Sequence, residues 1–300
     1  MSLRGVVFGL ALVATVSAPA LAQWPLWLPS GVPVTADGKP DFNAPPPRTS
    51  DGKPNLSGVW GAVPPPRADA PPGAPVAAAA PGTPPVGGTP APPVAAPAPP
   101  AGPSGSVFGN IGAQVPGGAP YQPWAAELVK QRMADNSKDN PDAHCLPMGV
   151  MQMTSHPFPR KIIQTPAEVV MIYEASGTTV REIFLDGRPL PPADAQPWWN
   201  GYSIGRWEGD TLVVETTGFL DDGWLDVRGS PLTSAGRLIE RYRRPTYGSL
   251  EIEVTIDDPK AYTKPFTAKV NNRLLVDSQL IEFVCLEKDA PHYVGAEYKK

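Results

Sequence analysis

Carboxylates set inside strand-like runs are the residues of this chain best placed to do chemistry. Glu240 lies between Leu238 and Tyr242, while the alternate positions hold Ile239 among Arg237, Arg241 and Arg243. Successive side chains of a strand point to opposite faces. The face of Glu240 is therefore the inner one, because the opposite register would bury three arginines. A carboxylate in such an interior has a raised pKa unless it is paired, and carboxylates tuned this way serve as general acids and bases. Glu240, Tyr242 and His156 are the candidate catalytic set, for hydrolysis, elimination or isomerisation. The competing reading is a structural salt bridge from Glu240 to an arginine on a neighbouring strand. Glu182, between Val180 and Phe184, is less decisive, since its opposite face carries the equally apolar Ile183 and Leu185.

A second cluster is suited to binding. Trp198, Trp199, Asn200 and Tyr202 stand together just before a strand-like run, and aromatic rings with polar handles hold small ring-bearing molecules at the mouth of a barrel. The same residues would also serve as a plug. Immediately after them, Gly201-Tyr202-Ser203-Ile204-Gly205 matches the Gly-x-Ser-x-Gly pattern of serine hydrolases, with His292 late in the chain. That motif needs a strand-to-helix elbow. Here a further strand-like run follows, so chance glycines around a strand serine account for the match. His144, Cys145, His156 and His292 fall at no spacing typical of a zinc site. No metal and no cofactor is expected.

The elements that must position these residues are short β-type runs from Lys161 onward. They cover 161–165, 168–174, 179–185, 202–207, 211–217, 237–243, 249–257, 265–275 and 280–285. In the seventh, Leu250, Ile252, Val254 and Ile256 alternate with Glu251, Glu253, Thr255 and Asp257, which gives one buried and one wet face. Glu208-Gly209-Asp210 reads as a hairpin turn. No helices interrupt the runs, so a parallel α/β sheet is excluded. The expected fold is all-β, an antiparallel up-and-down barrel of lipocalin type, with a two-sheet sandwich as the alternative; closure favours the barrel because it removes exposed edges. Cys145 precedes the first run and Cys285 ends the last. Those runs would be neighbours in a closed barrel, and a Cys145–Cys285 disulfide is expected. A buried thiol at Cys285 is the competing reading.

Upstream of the barrel the chain is organised by composition. Arg4, the apolar run from Val6 to Val16 and Ala20-Leu21-Ala22 form a secretory leader over residues 1–22. That run is too short to span a membrane, so no stable membrane span is expected and the protein is placed in the periplasm or outside the cell. Residues 23–61 read as an extended arm with an internal echo, Asp37-Gly38-Lys39-Pro40 and Asp51-Gly52-Lys53-Pro54, and with Trp60 as an anchor on the main domain. Residues 62–118 read as a disordered spacer, since 16 of the 40 residues from Pro64 to Pro103 are proline and little apolar surface is left to offset ordering entropy. The domain at 119–300 opens with a helix from Pro123 to Asp135, whose Trp124, Ala125, Leu128, Val129 and Met133 recur at helical spacing. A net charge of −4 without a basic run offers no footprint for nucleic acid.

The stretch Trp199-Asn200-Gly201-Tyr202-Ser203-Ile204-Gly205-Arg206-Trp207-Glu208-Gly209-Asp210-Thr211-Leu212-Val213-Val214-Glu215-Thr216, with Asp257-Asp258-Pro259 and Tyr262-Thr263 downstream, resembles a family of exported bacterial proteins that carry this segment. The resemblance runs over about Pro120 to Cys285 and the arm at Pro54 to Trp60. It implies export and a shared domain, and it transfers no catalytic residue. The expected partner is a small-molecule ligand, partly apolar or aromatic, held by Trp198, Trp199, Asn200 and Tyr202. An acid–base enzyme built on Glu240 and a purely structural envelope protein are the alternatives. The sequence sets no oligomeric state.

Overall fold

A computed structural model describes residues 28–63, 106–175, 179–283 and 285. The expected leader, most of the spacer and His292 lie outside the described residues. Nine strands close a barrel in the order β1-β11-β10-β9-β6-β5-β4-β3-β2. They are β1 (Gly58–Ala62), β2 (Arg160–Gln164), β3 (Glu168–Tyr173), β4 (Val180–Phe184), β5 (Tyr202–Glu208), β6 (Thr211–Thr217), β9 (Arg237–Thr246), β10 (Ser249–Asp257) and β11 (Phe266–Leu274). A two-residue pair, β7 (Gly223–Trp224) and β8 (Pro231–Leu232), forms a separate small hairpin. Eight of the nine expected runs are barrel strands, and the alternation in β10 holds, with Leu250, Ile252, Val254 and Ile256 all buried.

The ninth expected run is not a strand in its described residues. Ile281 is 61% exposed, and its backbone N–H donates to Glu174 instead of to a strand neighbour. The barrel is closed by the arm. β1 pairs antiparallel with β11 through Trp60 and Leu274 and with β2 through Trp60 and Arg160. Trp60 is fully buried and its indole N–H donates to the Leu56 carbonyl at 2.9 Å. The arm outcompetes the C-terminal run because it brings a whole indole into the core; burying a large aromatic side chain is among the most favourable single contributions a strand can make. The Cys145–Cys285 disulfide forms with a Cα–Cα distance of 5.6 Å, as expected, but it fastens a segment outside the barrel and does not join its first and last strands.

Two further departures bear on the site. All neighbouring strands are antiparallel except β4 and β5, which are parallel and share only the pairs Ile183–Ser203 and Phe184–Ile204. Between β2 and the leading helix lies an unexpected second helix, α2 (Val150–Ser155), whose six residues are all buried. Its Val150, Met151 and Met153 join the core cluster of the barrel. The leading helix, α1 (Pro123–Ala134), is where it was expected. Its inward face is Ala125 and Val129, whereas Trp124 and Met133 are about half exposed. Residues 107–118, expected as the end of the spacer, are part of the fold: Val107 and Ile111 are buried, and Ile111 N–H donates to Asp226.

The outward faces of β9, β10 and β11 are largely polar, whereas those of β2 to β4 mix charged residues with Ile163, Val170, Ile172, Val180 and Phe184. Arg243 pairs with Glu251 and Lys269 with Glu253 across neighbouring strands. Among the described residues no helix is long and apolar enough to cross a membrane.

The echo in the arm is a structural repeat. Each copy is a miniature hairpin in which Thr35 or Thr49 N–H donates to the Lys39 or Lys53 carbonyl, and Gly38 or Gly52 N–H returns to the threonine carbonyl. Asp-Gly supplies the positive φ of 78° that each turn needs. The second copy is tied to the barrel by Arg48, whose guanidinium grips Asp210 with two bonds of 2.9 and 2.7 Å.

Candidate functional site

Glu240 points inward, as the register requires, and is fully buried on β9. It is not free. Arg181, from β4, donates to Glu240 Oε1 at 3.1 Å and to Oε2 in a second, shorter contact. The Tyr242 hydroxyl donates to Oε1 at 2.7 Å. The same guanidinium donates to Ser203 Oγ on β5 at 3.2 and 3.1 Å and to Thr216 Oγ1 on β6 at 2.9 Å. Burial works to lower the Arg181 pKa, but the Glu240 charge and its hydrogen bonds outweigh it and hold the pKa well above its ordinary value. Burial, reinforced by the Glu240 charge, likewise pushes the Tyr242 phenol well up. Every polar atom of this cluster has a partner, which is the arrangement a buried ion pair needs in order to persist.

The Gly-x-Ser-x-Gly match dissolves in this geometry. Ser203 is the second residue of strand β5, which continues to Glu208, and is 2% exposed and engaged by Arg181 and Thr216. Its glycines have packing reasons. Gly201 has φ +65°, and a Cβ there would meet Phe219, Thr216 and the Thr217 carbonyl within 2.8 Å; at Gly205 a Cβ would meet Leu185 at 2.7 Å.

His156 is seated apart from Glu240 and Tyr242. It follows α2 and packs edge-on against Phe108 and Phe158, each 4.7 Å away, while its Nδ1 accepts the Phe158 N–H. Burial, with Arg160 nearby, lowers its pKa to about 4, so the ring is neutral at physiological pH. It is a buried residue.

The structure divides the expected ligand contacts. Trp198 and Tyr202 face one way, with ring centroids 5.3 Å apart, and Phe184 lies 5.3 Å beyond Tyr202. Arg188 covers this group outside the β4–β5 seam, 3.8 Å from the Phe184 ring and bonded to the Tyr202 hydroxyl at 3.2 Å. Trp199 faces the other way, and Asn200 has a buried Oδ1 without a partner.

Trp199 leads to a concave surface on another side of the fold. Two adjoining hollows of about 500 and 280 Å³ share Arg132: the larger lies between α1 and the β7–β8 hairpin, and the smaller is also walled by Asp139, Pro141, His144 and Leu146 from the segment after α1. Trp124 and Leu128 line the larger, and Trp199 and Trp224 the smaller. Arg132 is stacked 4.3 Å over the Trp224 ring, donates to the Gly229 carbonyl at 2.6 Å and has its pKa lowered by burial. Polar groups ring the groove, with Asp221 and Lys260 beside the larger hollow and Asp222 beside the smaller.

Arg132, Trp124 and Trp224 were missed because helical spacing assigns Trp124 to a core stripe and nothing local marks Arg132. Arg181 was missed because alternation alone does not single out an arginine as a buried partner. Comparisons of the chain with protein-family models, with curated proteins and with solved structures find no match, so the site is defined by its own geometry.

Proposed function

We propose that this protein is an exported binding barrel for a small, partly apolar or aromatic molecule, and that the ligand lies in the groove between α1 and the β7–β8 hairpin. The observation that carries the reading is Arg132, poised between two hollows whose walls are Trp124, Trp199 and Trp224. Small-molecule sites combine apolar and aromatic walls with a few convergent polar groups, and a guanidinium held flat on an indole offers both a cation and a planar stacking surface. Export rests on the leader at 1–22 and on a disulfide of the kind that persists in oxidising compartments. The acid–base reading is weaker, because both oxygens of Glu240 are already engaged in a fully buried cluster.

A structural role is the second reading. It is favoured by a barrel interior occupied by its own side chains, Trp60, Tyr173, Tyr242 and Met171 among the largest. A thermal-shift screen with aromatic, glycosidic and terpenoid compounds separates the two, since ligand binding to the native state raises the melting temperature. Binding in the groove requires a compound that stabilises the native protein and loses its effect in both Trp124→Ala and Trp199→Ala. A screen with no stabilising compound, or a shift that survives both substitutions, leaves the structural reading ahead.

A further inference from the structure

Arg160 opens β2 directly after the α2 helix and is 1% exposed. Unlike Arg181 it has no carboxylate: among the described residues it forms no ion pair. Its guanidinium donates to the Thr154 carbonyl at 2.6 Å and to Asn272 Oδ1 at 2.8 Å, and it lies 5.8 Å from the Tyr173 ring. An arginine stays charged even when burial lowers its pKa, and burying a charge without a counter-charge is among the costliest arrangements a core can hold. Among the described residues the one carboxylate on an inward face of the barrel strands, Glu240, is engaged by Arg181.

Around Arg160 the polar bookkeeping is also incomplete. Arg160 Nε, Asn272 Nδ2 and Thr154 Oγ1 are all buried and have no hydrogen-bond partner. The Asn272 amide orientation is fixed, because its oxygen must face the guanidinium, so its free atom is a donor. Three unused donors thus belong to residues already in contact with one another, on β2, β11 and α2. Buried donors left without acceptors are rare and call for an explanation. Gln152 Oε1 on α2 is a buried acceptor that also has no partner, but the unpartnered atoms on the three residues in contact are all donors beside a cation, which is the polarity of an anion site.

We propose that Arg160, Asn272 and Thr154 form a buried seat for one small monoanion, a halide or the carboxylate of a molecule no larger than formate. The size limit follows from enclosure, since all six residues of α2 are buried and Trp60 and Tyr173 pack on either side of Arg160 in the strand register. The anion would neutralise the guanidinium, accept from the three unused donors and link α2 to the barrel wall. This seat is separate from the groove that carries the binding proposal.

The test is melting temperature at constant ionic strength, with gluconate replaced stepwise by bromide or by formate. Gluconate is too large for the seat. A rise of about 5 °C or more is expected once the probe exceeds its dissociation constant a hundredfold, and the two arms distinguish a halide from a carboxylate. Asn272→Asp places a carboxylate against the guanidinium and should melt at the same temperature in all three salts, as should Arg160→Met if it folds. A crystal grown in bromide should show an anomalous peak beside Arg160. Equal melting temperatures of the native protein in bromide, formate and gluconate overturn the proposal, as does an anion response that Asn272→Asp leaves intact.

Discussion

Arg181 on β4 and Glu240 on β9 meet inside the barrel across two intervening strands, β5 and β6. The guanidinium touches both on its way, through Ser203 and Thr216. The pair therefore fastens from within the place where the wall is weakest, the β4–β5 seam of only two paired residues. Arg188 and Tyr202 fasten the same seam from outside. Glu240, turned inward by the register, is engaged by Arg181 on both of its oxygens.

That assignment has a measurable consequence. Removing one partner leaves the other buried and unpaired, which costs about 3–5 kcal/mol. Glu240→Leu and Arg181→Met should each lower the unfolding free energy from urea titration by that amount, while the double variant should recover a large part of the loss. Additive losses would show that the two residues act independently.

His156 makes stability depend on pH. Its folded pKa of about 4 lies below its ordinary 6.5, so between those values the unfolded chain binds more protons than the native one. Stability therefore falls as pH drops from 6.5 towards 4 and is unaffected by this group above 6.5. At about 1.4 kcal/mol per pKa unit, the full effect is about 3 kcal/mol. Denaturation midpoints across this range should slope less in His156→Gln than in the native protein; equal slopes would place the ring in water.

The Cys145–Cys285 bridge closes a loop with a sequence separation of 140 residues. In the chain-entropy model a loop of that size is worth about 5 kcal/mol. Reduction, or the double substitution to serine, should lower the melting temperature without unfolding the barrel, because the bridge fastens a segment outside the strand ladder. Loss of the β-sheet circular dichroism signal on reduction at room temperature would contradict that placement.

Trp60 tests the arm's role. As a fully buried side chain on the closing strand, its replacement by alanine should cost about 3–5 kcal/mol. An arm merely lying on the surface would lose less than about 1 kcal/mol, the range of ordinary surface substitutions. Equilibrium urea unfolding decides between them.

Export is read at the N-terminus. Mass analysis of protein expressed in a Gram-negative host should find Gln23 as the first residue, and a retained leader on soluble protein would remove the case for secretion.

Local pattern alone determined a great deal. Alternation located eight barrel strands and turned Glu240 inward, since a buried face of period two fixes register. The position of Pro123 located α1, and the Asp-Gly turns of the arm follow from local backbone preference. Tertiary structure decided the rest. Which segment closes the barrel depended on whether the arm or the C-terminal run offered more surface to the same gap, and Trp60 won against Ile281 from a hundred residues upstream of β2. Which arginine answers Glu240 depended on the β4–β5 register, and no neighbour in sequence encodes it. The groove at Arg132 exists only because α1 and the β7–β8 hairpin are brought together, so Trp124 looks like a core residue until the fold leaves it half exposed. Periodicity reports which face of an element is apolar; what that face meets is settled by long-range packing, where the free energy of burial resides.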